Sequence, residues 1–214
     1  MRTQADSSTG SASMSGERML DGMGFDSTVL GLGLPAQAEA LIAQAGLVRQ
    51  DRAKAEPFLL QARAMAPHHP ATLIALYRFH FYGHRLREAR EVAREALGIA
   101  RGALVPGHPD PVAADLPPIT DEQARFDAAV RFYLFTLKGF AYLNLRLGDI
   151  EVGRAALTEL QRLDPQDRVG GAVLSVVLAR AEAHDAEDDA DDALDYDRQA
   201  LSQGRMPHRG WGTT

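Results

Sequence analysis

Ala55-Glu56-Pro57-Phe58-Leu59-Leu60-Gln61-Ala62, closed by Pro67, is the stretch that decides the fold, because its pattern returns. Thirty-four residues on, Ala89, Ala93 and Ala96 occupy the places of Ala55, Leu59 and Ala62. A third copy carries Gly153, Leu157 and Leu160, preceded by Gly148 and closed by Pro165. A period of this length with helical spacing means stacked helix pairs, each unable to bury its apolar face alone. Small residues at fixed places have a physical reason, since helices approach closely only where side chains are short.

Working outward, helical patterning begins at Pro35, with Leu41, Ile42, Ala45 and Val48 on one face of a first helix. Asp51 is an N-cap for the second, although Pro57 demands either a kink or a later start. The next pair spans about 70–83 and 86–100, divided at Gly83. The strict count then fails by 30 residues. The excess sits in the proline-rich insert 102–119, read as a loop lying over a repeat edge, and in a lengthened helix over 121–147. Thr120 caps that helix, and Gln123 completes a capping box. A helix over about 150–163 follows, then a last pair at about 168–183 and 189–202, with Ala193 and Ala200 as close-packing positions.

Small polar residues dominate 1–34, which reads as a disordered or loosely attached arm without an apolar run of signal-peptide length. The helical domain is 35–203, and 204–214 reads as a tail. The expected fold is all-α: a right-handed α-solenoid of about four helix pairs. Phe126 to Leu147 is the longest apolar stretch, but Asp127, Arg131, Lys138 and Arg146 argue for a buried helix rather than a membrane span. The expected location is cytoplasmic.

There is no cysteine, which excludes disulfides, thiolate nucleophiles and cysteine-held metals. Net charge is −6, yet nine acids lie between Glu182 and Asp197 without a Lys or Arg, and the remainder sums to +3. That distribution lacks the basic face a nucleic-acid binder needs. The acidic run lacks the glycine and spaced ligands of a calcium loop and reads as a solvated loop. Gly31 to Ala36 imitates a dinucleotide turn without the strand that should precede it. No nucleophile–base pair can be placed, so an enzyme is not expected, nor a cofactor.

These residues resemble the tetratricopeptide repeat family over roughly 35–203, apart from the insert. Leu137 to Pro165 carries the resemblance best, through Gly139, Ala141, Leu143, Gly148, Asp149, Ala156 and Leu163-Asp164-Pro165. The departures are Arg101 at a closing-proline place, and Gly153 and Leu160 where alanine is usual. His69-Pro70-Ala71, Leu76 to Phe79, and Phe132 to Gly139 are similar to small tetratricopeptide proteins encoded beside bacterial nitrogen-fixation genes. That resemblance implies an accessory role near nitrogenase or its assembly factors.

In such a solenoid the first helix of each pair builds the inward face. Spacing puts Ile74, Arg78 and Phe81 on one stripe, and Phe135, Lys138, Tyr142 and Leu145 on another. Facing a groove, they offer aromatic platforms beside two cations, suited to a protein or peptide with apolar anchors and an acidic group or C-terminal carboxylate. Packed inward, the same aromatics are core. The function expected is a protein-binding adaptor. A second reading takes His80 and His84, four apart on a helix, as metal ligands, with His68 and His69 in the preceding turn. Against it, His80 shares an apolar stripe with Leu73, Leu76 and Tyr77.

Overall fold

A computed structural model describes residues 33–110 and 115–183. All but the last two residues of the arm, most of the acidic run, the helix expected over 189–202 and the tail lie outside the described residues. Within them the chain is all-helical, with eight helices and no strand. These are α1 (Ala36–Leu47), α2 (Arg52–Met65), α3 (Pro70–Tyr82), α4 (Leu86–Leu104), α5 (Asp121–Phe126), α6 (Ala128–Arg146), α7 (Ile150–Leu163) and α8 (173–183).

The repeated small residues are the packing positions. Ala55, Ala89 and Gly153 are all buried, as are Leu59, Ala93 and Leu157, and Ala62, Ala96 and Leu160. Helices α1 with α2, α3 with α4, and α6 with α7 pack as consecutive partners, and α6 also lies along α4. Gly153 shows the constraint directly. A methyl group there would stand 2.5 Å from Leu145 Cδ2 and 3.1 Å from the Leu145 backbone nitrogen. Ala55 and Ala89, at the equivalent places of α2 and α4, are likewise fully buried in their seams.

Helix boundaries follow local chemistry. Asp51 Oδ1 accepts from the Lys54 amide, so α2 starts at Arg52 and runs through Pro57, whose side is exposed. His69 Nδ1 accepts from the Ala71 amide and caps α3, with Pro70 in the first turn. Gly148, at φ +84, takes the left-handed position that ends α6.

Three expectations need correction. Helix α4 continues to Leu104, so the irregular connection begins at Val105. The single helix expected over 121–147 is two, broken at Asp127 (φ −88, ψ 112). The capping box forms as expected, with Thr120 Oγ1 accepting from the Gln123 amide and Gln123 Oε1 accepting from the Thr120 amide. It serves only the six-residue α5, however. Asp127 turns out of helical geometry because its carboxylate caps α6, accepting from Ala129 (2.9 Å) and Val130 (3.1 Å). Finally, the helix expected from Arg168 starts at 173. Asp167 (φ +53) and Gly170 (φ +67) take left-handed conformations, Asp164 accepts from the Val169 amide, and Asp167 accepts from the Ala172 amide. Residues 164–172 thus form a hydrogen-bonded turn.

The end of the proline-rich connection is docked on α7. Leu116 is buried, Arg162 donates to its carbonyl (2.7 Å), and the Ile119 amide donates to the Leu163 carbonyl (2.8 Å). The second bond satisfies the Leu163 carbonyl, one of the orphan acceptors at the α7 C-terminus. No helix among the described residues is long and apolar enough to cross a membrane.

Candidate functional site

The two stripes singled out in the sequence lie on α3 and α6, and those helices meet side chain to side chain. Phe81 and Tyr142 pack with centroids 5.8 Å apart, and Phe81 stacks on Tyr77 at the same distance. Further along, Ile74 and Phe135 face a narrow apolar niche of about 20 Å³ with Leu73, Tyr77, Phe132 and Thr136. That volume takes no side chain, so it marks a tight seam rather than a pocket.

Burial sorts the seven residues. Phe81, Tyr142 and Leu145 are buried, and their large surfaces hold α3, α6 and α7 together. Ile74, Arg78 and Phe135 are half-exposed along the seam. Arg78 makes no hydrogen bond or ion pair among the described residues.

Lys138 does not stand beside Arg78 as a second free cation. It is 6% exposed, and its Nζ donates to the Val169 carbonyl at 2.7 Å. Burial pushes its pKa down from the ordinary lysine range, with Asp167 opposing the shift. The turn at 164–172 folds over the lysine, a tertiary event that helical spacing does not reveal.

Two other side chains give the stripe the character that Lys138 withholds. Arg146, one turn beyond Tyr142, is exposed, bonds the Tyr142 hydroxyl at 3.1 Å and lies 5.8 Å from its ring centroid. Tyr82 is 41% exposed and packs edge-on against Phe81 at 5.7 Å. The surface therefore runs Ile74–Arg78–Tyr82 on α3 and Phe135–Arg146 on α6, over buried Phe81 and Tyr142. The signal for both additions was present, since Tyr82 is four residues from Arg78 and Arg146 four from Tyr142.

The histidines have local roles. His84 is exposed in the α3–α4 turn at φ +55, while His80 packs edge-on against Phe79 at 5.5 Å. Burial, then the Arg85 charge, holds the His80 pKa below its ordinary value. His68 lies 3.4 Å from Glu95, and His69 caps α3. Among the described residues no three His, Asp or Glu side chains converge on a point that could hold a metal ion.

The Phe79 ring beside His80 anchors a charged clamp between α2, α3 and α4. Arg52 lies over the ring at 4.2 Å and donates to the Phe79 carbonyl at 2.9 Å. Arg85 sits 5.0 Å from the same ring and pairs with Glu56 at 2.8 Å. Gly83 makes room for it, because a methyl there would meet the Arg52 guanidinium at 2.0 Å. Gly83 has an ordinary φ of −90, so a side chain there would meet no backbone strain and would act by moving the Arg52 guanidinium.

No family model matches the chain, and no solved structure does. The chain is similar to a protein of Azotobacter chroococcum mcd 1 described as an uncharacterized 19.8 kDa protein in the nifW 5′ region. The two are 35% identical over 169 residues, covering 78% of this chain and 92% of that protein. Identity at that level over nearly the whole of the relative means that this chain belongs to its family.

Proposed function

We propose that this protein is a non-enzymatic accessory factor that binds a partner protein on the α3–α6 face, within a tetratricopeptide-like solenoid. The observation that carries the reading is the seam itself: half-exposed Ile74 and Phe135, exposed Tyr82, and the cations Arg78 and Arg146 over a buried aromatic floor. Aromatic and guanidinium groups on rigid helices give large contact area at low entropic cost, and they favour an extended segment carrying an acidic group or C-terminal carboxylate. The pairing of helices and the burial of every repeated small residue support the solenoid. The relative's place in a nifW 5′ region supports a partner connected with nitrogen fixation.

Affinity capture from nitrogen-fixing cells tests this, comparing wild type with Arg78→Glu/Arg146→Glu. Both side chains reach solvent, an unchanged unfolding midpoint checks that the double variant keeps the fold, and loss of the captured partner is expected. Equal recovery from both proteins overturns the assignment of this face.

A further inference from the structure

The break at Asp127 has built a second surface, at the helix ends rather than along the seam. An open cleft of about 790 Å³ lies between the start of α3, the last turns of α4, and the α5–α6 junction. Its walls are mostly apolar, from Pro70, Ile99, Ala100, Ala103 and Ala128. Phe126 stands at its rim 80% exposed.

That exposure is held in place. Helix α5 is too short to be stable alone. The capping box ties its first turn, and Asp121 pairs with Arg168 beyond α7. At its other end Arg131 donates to the Arg125 carbonyl, and Asp127 starts the next helix one residue after Phe126. A large aromatic ring carried on a tethered backbone is the kind of group whose desolvation drives association, at a reduced ordering cost when a partner arrives.

The electrostatics choose the partner. No Lys or Arg lines the cleft, whereas Glu122 and Asp127 do. Asp127 is occupied in capping α6, but Glu122 has no hydrogen bond or ion pair among the described residues. The helix ends add no net sign, since the C-terminal end of α4 and the N-terminal ends of α3 and α6 all face the cleft, so the charge there is that of Glu122. Apolar walls beside the unpaired Glu122 carboxylate fit an apolar side chain flanked by a cation.

We infer that this cleft docks a short cationic segment of a partner protein, with an aromatic or branched aliphatic side chain against Phe126 and Ile99 and a Lys or Arg beside Glu122. The site lies at the helix ends, adjoins the α3–α6 face at Phe132, and is opposite to it in charge preference.

Selection of short random peptides displayed on phage against the full chain tests this. Enriched peptides are expected to set an apolar residue close to Lys or Arg. Their synthetic forms should bind wild type and lose about tenfold or more in affinity on Glu122→Lys and on Phe126→Ser, as interface anchors do. Both positions are exposed, and Glu122→Gln with Phe126→Leu give milder versions for melting controls. Binding should weaken with added salt and be unchanged in Arg78→Glu/Arg146→Glu, which separates this site from the seam. Enrichment of acidic peptides, no enrichment, or indifference to both cleft variants overturns the inference. So does self-association in sedimentation that disappears in Phe126→Ser, because the cleft would then be a contact between copies.

Discussion

Tyr77 and Gly139 meet where α3 lies against α6: a methyl group on Gly139 would stand 2.7 Å from the Tyr77 hydroxyl oxygen. The tyrosine is buried, and burial raises its pKa well above the ordinary phenolic range. The ring cannot retreat without disturbing its stack on Phe81. The seam that carries the proposed partner face is therefore set by a glycine.

Gly139→Ala should lower stability by about 1–3 kcal/mol through overpacking, despite alanine's better helix propensity. Gly98 on α4 is the control, exposed and with nothing within 4 Å of an added methyl. Gly98→Ala should raise stability by about 0.5–1 kcal/mol. Urea unfolding of the two variants measures both signs, and a stabilised Gly139→Ala would contradict the tight seam.

Lys138 makes stability depend on alkaline pH. Its folded-state pKa is depressed, so the unfolded chain binds more protons between that depressed value and the ordinary lysine range. Stability should therefore rise with pH through that window, as the buried amine sheds its charge. Lys138→Met should flatten this rise, read as unfolding midpoints from neutral pH upward. Lys138→Glu should unfold the α6–α7 region, since it would bury an acid against the Val169 carbonyl.

Arg52 and Phe79 should show energetic coupling. Removing either side chain loosens α2 from α3, but removing both should cost less than the separate losses together, by about 0.5–2 kcal/mol. Gly83→Ala should mimic Arg52→Ala, because the new methyl displaces the guanidinium. A thermal-unfolding double-mutant cycle gives the figure, and strict additivity would contradict the clamp.

Asp127 is worth more than Thr120. Asp127→Ala removes two bonds from the first turn of the 19-residue α6 and should cost about 0.5–2 kcal/mol. Thr120→Ala affects only the six-residue α5. Amide exchange should therefore accelerate at Ala129 and Val130 in the first variant and remain native there in the second.

The proline-rich connection should resist proteases unevenly. Brief native digestion should cut 105–110, where Pro106 to Asp110 are exposed, before 115–119, where Leu116 is buried and Ile119 bonds Leu163. Cleavage beginning at Leu116 would contradict the docking on α7.

Much of this was legible in the sequence because local rules and packing agreed. Ala55, Ala89 and Gly153 announce close helix contacts through size alone, and Asp51 and Thr120 announce helix starts through their side chains. The break at Asp127 was harder, since the apolar residues that follow it continue a helical pattern; the cue was an aspartate two residues before Ala129, a capping position inside the run. Lys138 could not be read from its own helix, because the residue that buries it is 31 positions away. The same limit hid the cleft, whose walls come from four helices. Arg146 and Tyr82 needed only one more turn of the stripes already drawn.

Helix α4 has 19 residues, while its counterparts α2 and α7 have 14 each. At about 1.5 Å per residue the excess is an overhang of roughly 7 Å. Ala100 and Ala103, in that overhang, wall the cleft. The depth of this surface is thus a matter of helix length, not of side-chain identity. The protein can deepen, shorten or erase it by moving one helix end, leaving the repeated small residues that hold the helices together untouched.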